Sequence, residues 1–159
     1  MNIMNKTLLT TCLCALLGFG MPAVAHEPAD QIFPEQERGV AQSLGVSGPK
    51  ENKGIEAVTA LGSVNLSNEF PQMDKRILRA REIIIQPGGV VAVHRHEQRP
   101  GLAYILEGEI YEHRNDHPEP LLRQTGAVSL ENSGVVHWWE NRSDTRVRAL
   151  VVDIVPDEN

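Results

Sequence analysis

His94 and His96 stand two residues apart in Val90-Val91-Ala92-Val93-His94-Arg95-His96, a run rich in β-branched residues. Such a run reads as a strand, and side chains alternate across a strand, so the two imidazoles share one face. In that position they can grip one divalent ion without distorting the backbone, and neutral imidazole suits iron, copper, nickel and zinc. A lone H-x-H is equally compatible with a solvated histidine pair, so the reading depends on a further ligand from elsewhere in the chain.

The elements that must carry these residues are short and β-rich. The runs are Glu56–Leu66, Arg76–Gln86, Val90–His96, Leu102–His113, Leu121–Leu130, Val135–Asn141 and Arg146–Val155. Pro87-Gly88-Gly89, Asn115-Asp116-His117-Pro118 and Asn132-Ser133-Gly134 punctuate them. Many short strands at this spacing predict an all-β sandwich or barrel, and no run has the length and period of a long amphipathic helix. Ahead of them, residues 26–55 are polar and contain Pro28, Pro34 and Pro49. They read as an arm or linker that could lie across a neighbouring subunit. The barrel domain is expected over residues 56–157.

Two spaced motifs resemble those of the cupin superfamily. The first begins at Gly88, continues with His94 and His96, and closes at Gly108. The second uses Gly126, Gly134, His137 and Asn141, with Asn132 where the family has proline. The resemblance implies a double-stranded β-helix, or jelly-roll, barrel and a divalent metal held by His94, His96 and His137. Iron is the first expectation for that metal, with manganese, nickel, cobalt, zinc or copper as alternatives. The chain departs from the family where the first motif carries a metal-binding Glu, because that position is Gly101. Glu97 has the wrong strand parity to replace it, and Gln98 has the right parity but is a weaker ligand. Three histidines without a carboxylate resemble the iron site of some cupin-like thiol dioxygenases.

Other residues are candidates for the same pocket. Arg99 lies just past His96, where it could hold a substrate carboxylate or form a structural salt bridge. Tyr104 shares the parity of His94 if the pleat carries over, which makes it a catalytic hydroxyl or a plain core residue. Trp139 shares a face with His137 and Trp138 takes the other; Asn141 continues the inward face and could orient a ligand. His113 and His117 flank an apparent turn and read as surface residues, while an N-terminal His26 could chelate copper only with further ligands.

Three neutral imidazoles leave the full +2 charge on an ion, so its open positions should attract a small anionic or chelating ligand. A metal-dependent oxygenase is the first functional expectation. The alternatives are a binding or sensory barrel without catalysis and a sugar-acid isomerase or lyase.

The first 25 residues read as an address. Lys6 precedes an apolar stretch from Leu8 to Gly20, and Ala23-Val24-Ala25 supplies a small-x-small cleavage site. Cleavage after Ala25 predicts a periplasmic or secreted protein with no membrane attachment, and both cysteines, Cys12 and Cys14, would leave with the leader. The formal charge of -6 includes no basic run, which argues against nucleic acid as a partner. Small barrels of this kind often pair, so a homodimer is expected.

Overall fold

A computed structural model describes residues 26–27, 32–33, 37 and 46–157. The leader, its cysteines and its cleavage site lie outside the described residues, as does much of the arm. Among the described residues nine strands follow in order: β1 (His26–Glu27), β2 (Lys53–Asn65), β3 (Arg76–Arg95), β4 (Gly101–Glu107), β5 (Glu109–Arg114), β6 (Leu121–Gln124), β7 (Val128–Glu131), β8 (Val136–Glu140) and β9 (Val147–Pro156). Between β2 and β3 stand two short 3-10 turns, Leu66–Asn68 and Pro71–Met73.

Neighbouring strands run β6-β5-β8-β3-β9-β4-β7, with β2 also on β3 and β1 on β2. The pairings are antiparallel, and they wrap into a nearly closed jelly-roll barrel. The long strand β3 joins the two walls. Its first half pairs with β9 from Arg76↔Pro156 to Ile85↔Val147, and its second half pairs with β8 from Val90↔Glu140 to Arg95↔Val136. The runs Arg76–Gln86 and Val90–His96 are therefore one strand, bent through Pro87-Gly88-Gly89 where Gly88 has φ +71. Conversely, Leu102–His113 divides into β4 and β5 at Gly108, whose φ of +85 turns the chain out of line. Leu121–Leu130 divides in the same way at Gly126, with φ +90.

Alternation sets the interior. Ile83 and Ile85 of β3, Ala103 and Ile105 of β4, Ile110 of β5 and Val147, Ala149 and Val151 of β9 are buried in one cluster. Each fully buried Ile or Val contributes roughly 1.5–3 kcal/mol relative to exposure, so this cluster is the main source of stability. The described part of the arm packs on its own barrel. Ile32 and Phe33 join the core, and Val46 packs with Val93 and Val136. Backbone and side chain tie the segment down, as Val93 N–H donates to Pro49 O and Ala92 N–H to Asn52 Oδ1.

Candidate metal centre

The long strand β3 delivers His94 and, at its end, His96, while β8 delivers His137. His94 and His137 are direct cross-strand partners, and the His96 N–H donates to Val135 O at 2.8 Å. All three imidazoles are buried. Their Nε2 atoms converge: His96 to His137 is 3.0 Å, His94 to His137 3.1 Å and His94 to His96 3.2 Å.

The other ring nitrogens show what the convergence is for. Nδ1 of His94 faces Ala92 O at 2.8 Å, Nδ1 of His96 faces Arg99 O at 3.1 Å, and Nδ1 of His137 faces the Glu112 carboxylate at 2.7 Å. Each partner accepts, so each Nδ1 carries the proton and each Nε2 presents a lone pair to the same point. Three lone pairs aimed at one point fit a cation. Nitrogens bound at about 2.1 Å lie about 3.0 Å apart on one face of an octahedron and about 3.4 Å apart on a tetrahedron. The observed spacing of 3.0–3.2 Å is close to that of nitrogens sharing one ion.

Electrostatics keep the ligands in the form a metal needs. Burial, reinforced by the neighbouring imidazoles, pushes the pKa of His94 well below its usual value. Burial and then the charge of Arg99 lower that of His96 to about 2. Behind His137, Glu112 stays ionised: burial works against it, but hydrogen bonds from His137 and Ser129 and the charge of Arg114 prevail. Arg114 and Arg123 bind its two oxygens at 2.9 and 2.8 Å. Sequence reasoning missed this buried acid because it sits inside a run read only as strand.

A cavity of about 20 Å³, room for roughly one water-sized group, adjoins the three histidines. Its apolar wall includes Ile32, Ile83, Ile85, Val91 and Val151. Phe33 stacks on His94 with ring centroids 4.1 Å apart, which closes the site from the arm's side.

Several expected pocket residues take other roles. Arg99 does line the cavity, but its guanidinium is committed, with Nε and Nη2 on Glu37 at 2.6–3.0 Å and Nη1 on Asp153 at 2.9 Å. It is a structural cation, and the expected substrate clamp is corrected on that ground. Tyr104 is 37% exposed and points outward, since Ala103 and Ile105 hold the inward positions of β4. Gln98 is exposed in a left-handed turn (φ +54) and contacts Arg76, so it does not reach the histidines. Asn141 is buried but closes a loop, donating to the carbonyls of Ile85, Gln86 and Thr145.

Trp139 does line the cavity, edge-on to His137, and its buried indole N–H has no partner among the described residues. Trp138 faces the other way and stacks on His113 at 3.7 Å, which keeps His113 off the metal site. Glu97 and His117 are exposed.

Gly101 is not an open ligand position. A Cβ there would meet Val152 O at 2.7 Å and Asp153 Cβ at 2.9 Å. The carboxylate in the cavity belongs instead to Glu131 at the end of β7, with Oε2 3.6 Å from His96 Nε2 and Oε1 3.8 Å from His137 Nε2. Its one signal in the sequence is its place just before the second motif's turn, one residue beyond the run assigned to that strand.

Fold and site together define a small jelly-roll barrel with an imidazole-rich cavity between its walls. Residues 81–153 match the Cupin domain family model, which supports the resemblance to the cupin superfamily. Two solved structures agree on the fold. A cupin-2 domain protein from Rhodospirillum rubrum is similar at 13% identity and TM-score 0.56, over 87% of this chain and 74% of that one. An RMLC-like cupin from Shewanella frigidimarina is similar at 18% identity and TM-score 0.50, over 72% and 87% respectively. A predicted oxalate decarboxylase from Thermotoga maritima shares 29% identity over 69% of this chain and 89% of that one, with TM-score 0.49. No curated protein sequence matches this chain significantly.

Proposed function

We propose that this chain is an exported, metal-dependent oxygenase that acts on a small anionic or chelating substrate. The observation that carries the reading is the convergence of three buried Nε2 atoms on one point beside a small, largely apolar cavity. His94, His96 and His137 would hold the ion on one face and leave other positions for ligands. Bound there, the ion would act as a Lewis acid and bring substrate and dioxygen together. Iron is the metal proposed.

The chain's own residues supply the surroundings. Ile83, Ile85 and Val91 keep bulk water out, which strengthens every electrostatic contact inside. The Trp139 indole N–H is a donor for an anionic substrate atom, the role that Arg99 does not fill. Phe33 and Ile32 must shift for anything larger than a water molecule to enter. That closure also favours a second reading, a binding or sensory barrel that captures a small molecule without turnover.

Anaerobic purification, native metal analysis and oxygen-uptake screening with small carboxylates and chelating acids test the proposal. Oxygen consumption tied to one product, and absent in His94→Ala, is the expected result. Tight binding of a small acid without oxygen consumption would replace the oxygenase by the receptor.

A further inference from the structure

Family resemblance and strand parity together predict three imidazoles and no carboxylate, with the empty position at Gly101. The cavity also holds a carboxylate that this picture leaves out. Glu131 is buried at 4% exposure, and its Oε2 has no hydrogen-bond partner among the described residues. A buried carboxylate oxygen without a donor is costly unless something cationic satisfies it. Its carboxylate lies 3.6 Å from His96 Nε2 and 3.8 Å from His137 Nε2, on the cavity side of both rings. Gly101 is its direct cross-strand partner. The glycine that lost the carboxylate and the glutamate that offers one thus face each other across β4 and β7.

We propose that Glu131 is the fourth, anionic ligand of the ion, supplied from β7 in place of the carboxylate missing at position 101. The inference rests on the three-histidine metal reading above and adds to it. Glu131 lies beside the Nε2 atoms of both His96 and His137, where its carboxylate would neighbour these two ligands on the ion. Binding takes a side-chain movement toward the histidines, and no hydrogen bond to Oε2 has to break. With Glu131 bound, the site carries +1 rather than +2. Its remaining positions then suit a monoanion or a neutral chelator better than a dianion.

The test uses the mature protein in four forms: wild type, Glu131→Gln, Glu131→Ala and Glu112→Gln. Each is first checked for a wild-type circular dichroism spectrum, and the near-isosteric Gln variant serves should the Ala variant not fold. Cobalt(II) titration reads affinity and the visible ligand-field bands, and manganese(II) water-proton relaxation reads the number of exchangeable waters on the ion. Loss of Glu131 is expected to weaken cobalt by roughly 100-fold or more and change the bands, with one water added in Glu131→Ala. Formate, a carboxylate small enough for the vacated space, should partly restore affinity and bands in that variant. Glu112→Gln, which only positions His137, should weaken cobalt by roughly 10–100-fold with the water number unchanged.

Wild-type affinity, bands and water number in both Glu131 variants would overturn the proposal and leave the three-histidine site standing. A folded wild-type protein that bound no cobalt would overturn both.

Discussion

Gly101 and Glu131 are paired directly across the antiparallel strands β4 and β7. A Cβ at Gly101 would press on the backbone of β9, within 2.7 Å of Val152 O, whereas Glu131 has room to reach the histidines. Gly101→Ala is therefore a packing lesion. It should cost roughly 1–3 kcal/mol by denaturant unfolding, the range for overpacking a tight interior. Gly101→Glu should destabilise at least as much and should not tighten metal binding. A stable, tighter-binding Gly101→Glu would show that the strand pair yields more readily than its spacing indicates.

Single replacement of His94, His96 or His137 by alanine should abolish stable divalent metal retention after dialysis. Each change removes one of three converging Nε2 atoms and leaves too few ligands on the face. His113→Ala and His117→Ala should retain wild-type metal content, because His113 stacks on Trp138 and His117 is exposed. Elemental analysis of the five purified variants decides residue by residue.

Asp153 is the hub of the buried charges under the site. It pairs with Arg79 at 2.8 Å, Arg81 at 3.2 Å and Arg99 at 2.9 Å, and these arginines hold its pKa down to about 2 against the effect of burial. Asp153→Asn neutralises the anion that Arg79, Arg81 and Arg99 share and should cost about 3–5 kcal/mol. Urea unfolding measures the loss, and a cost below about 1 kcal/mol would mean that the other partners of these arginines, Glu37 in the case of Arg99, suffice.

The metal-free protein should be acid-labile. The folded-state pKa values of His94 and His96 lie well below 6.5, so the unfolded chain binds more protons once the pH drops under that value. The stability held above pH 6.5 is then lost progressively as the pH falls, at up to about 1.4 kcal/mol per pH unit for each histidine. Urea unfolding of the metal-free protein at pH 7.0, 6.0 and 5.0 should show that fall, and His96→Gln should show a shallower one.

Strand-level chemistry was legible in the sequence. Alternation within Val90–His96 put His94 and His96 on one face, and two spaced motifs supplied His137 and the barrel. Trp139 followed from its parity with His137. These inferences held because each depends on a period within one strand or on motif spacings tied to a fold. Parity could not be carried around the turn after His96, where the left-handed Gln98 resets it, so Tyr104 faces outward. Cross-strand register decided the rest. Which acid meets Gly101, which carboxylates claim Arg99 and which side chain holds His137 Nδ1 are contacts between residues 30 to 62 positions apart, 25 in the case of Glu112 and His137. Such pairings arise only when the barrel closes, because burial makes every unpaired charge costly and the nearest opposite charge in space, not in sequence, must answer it.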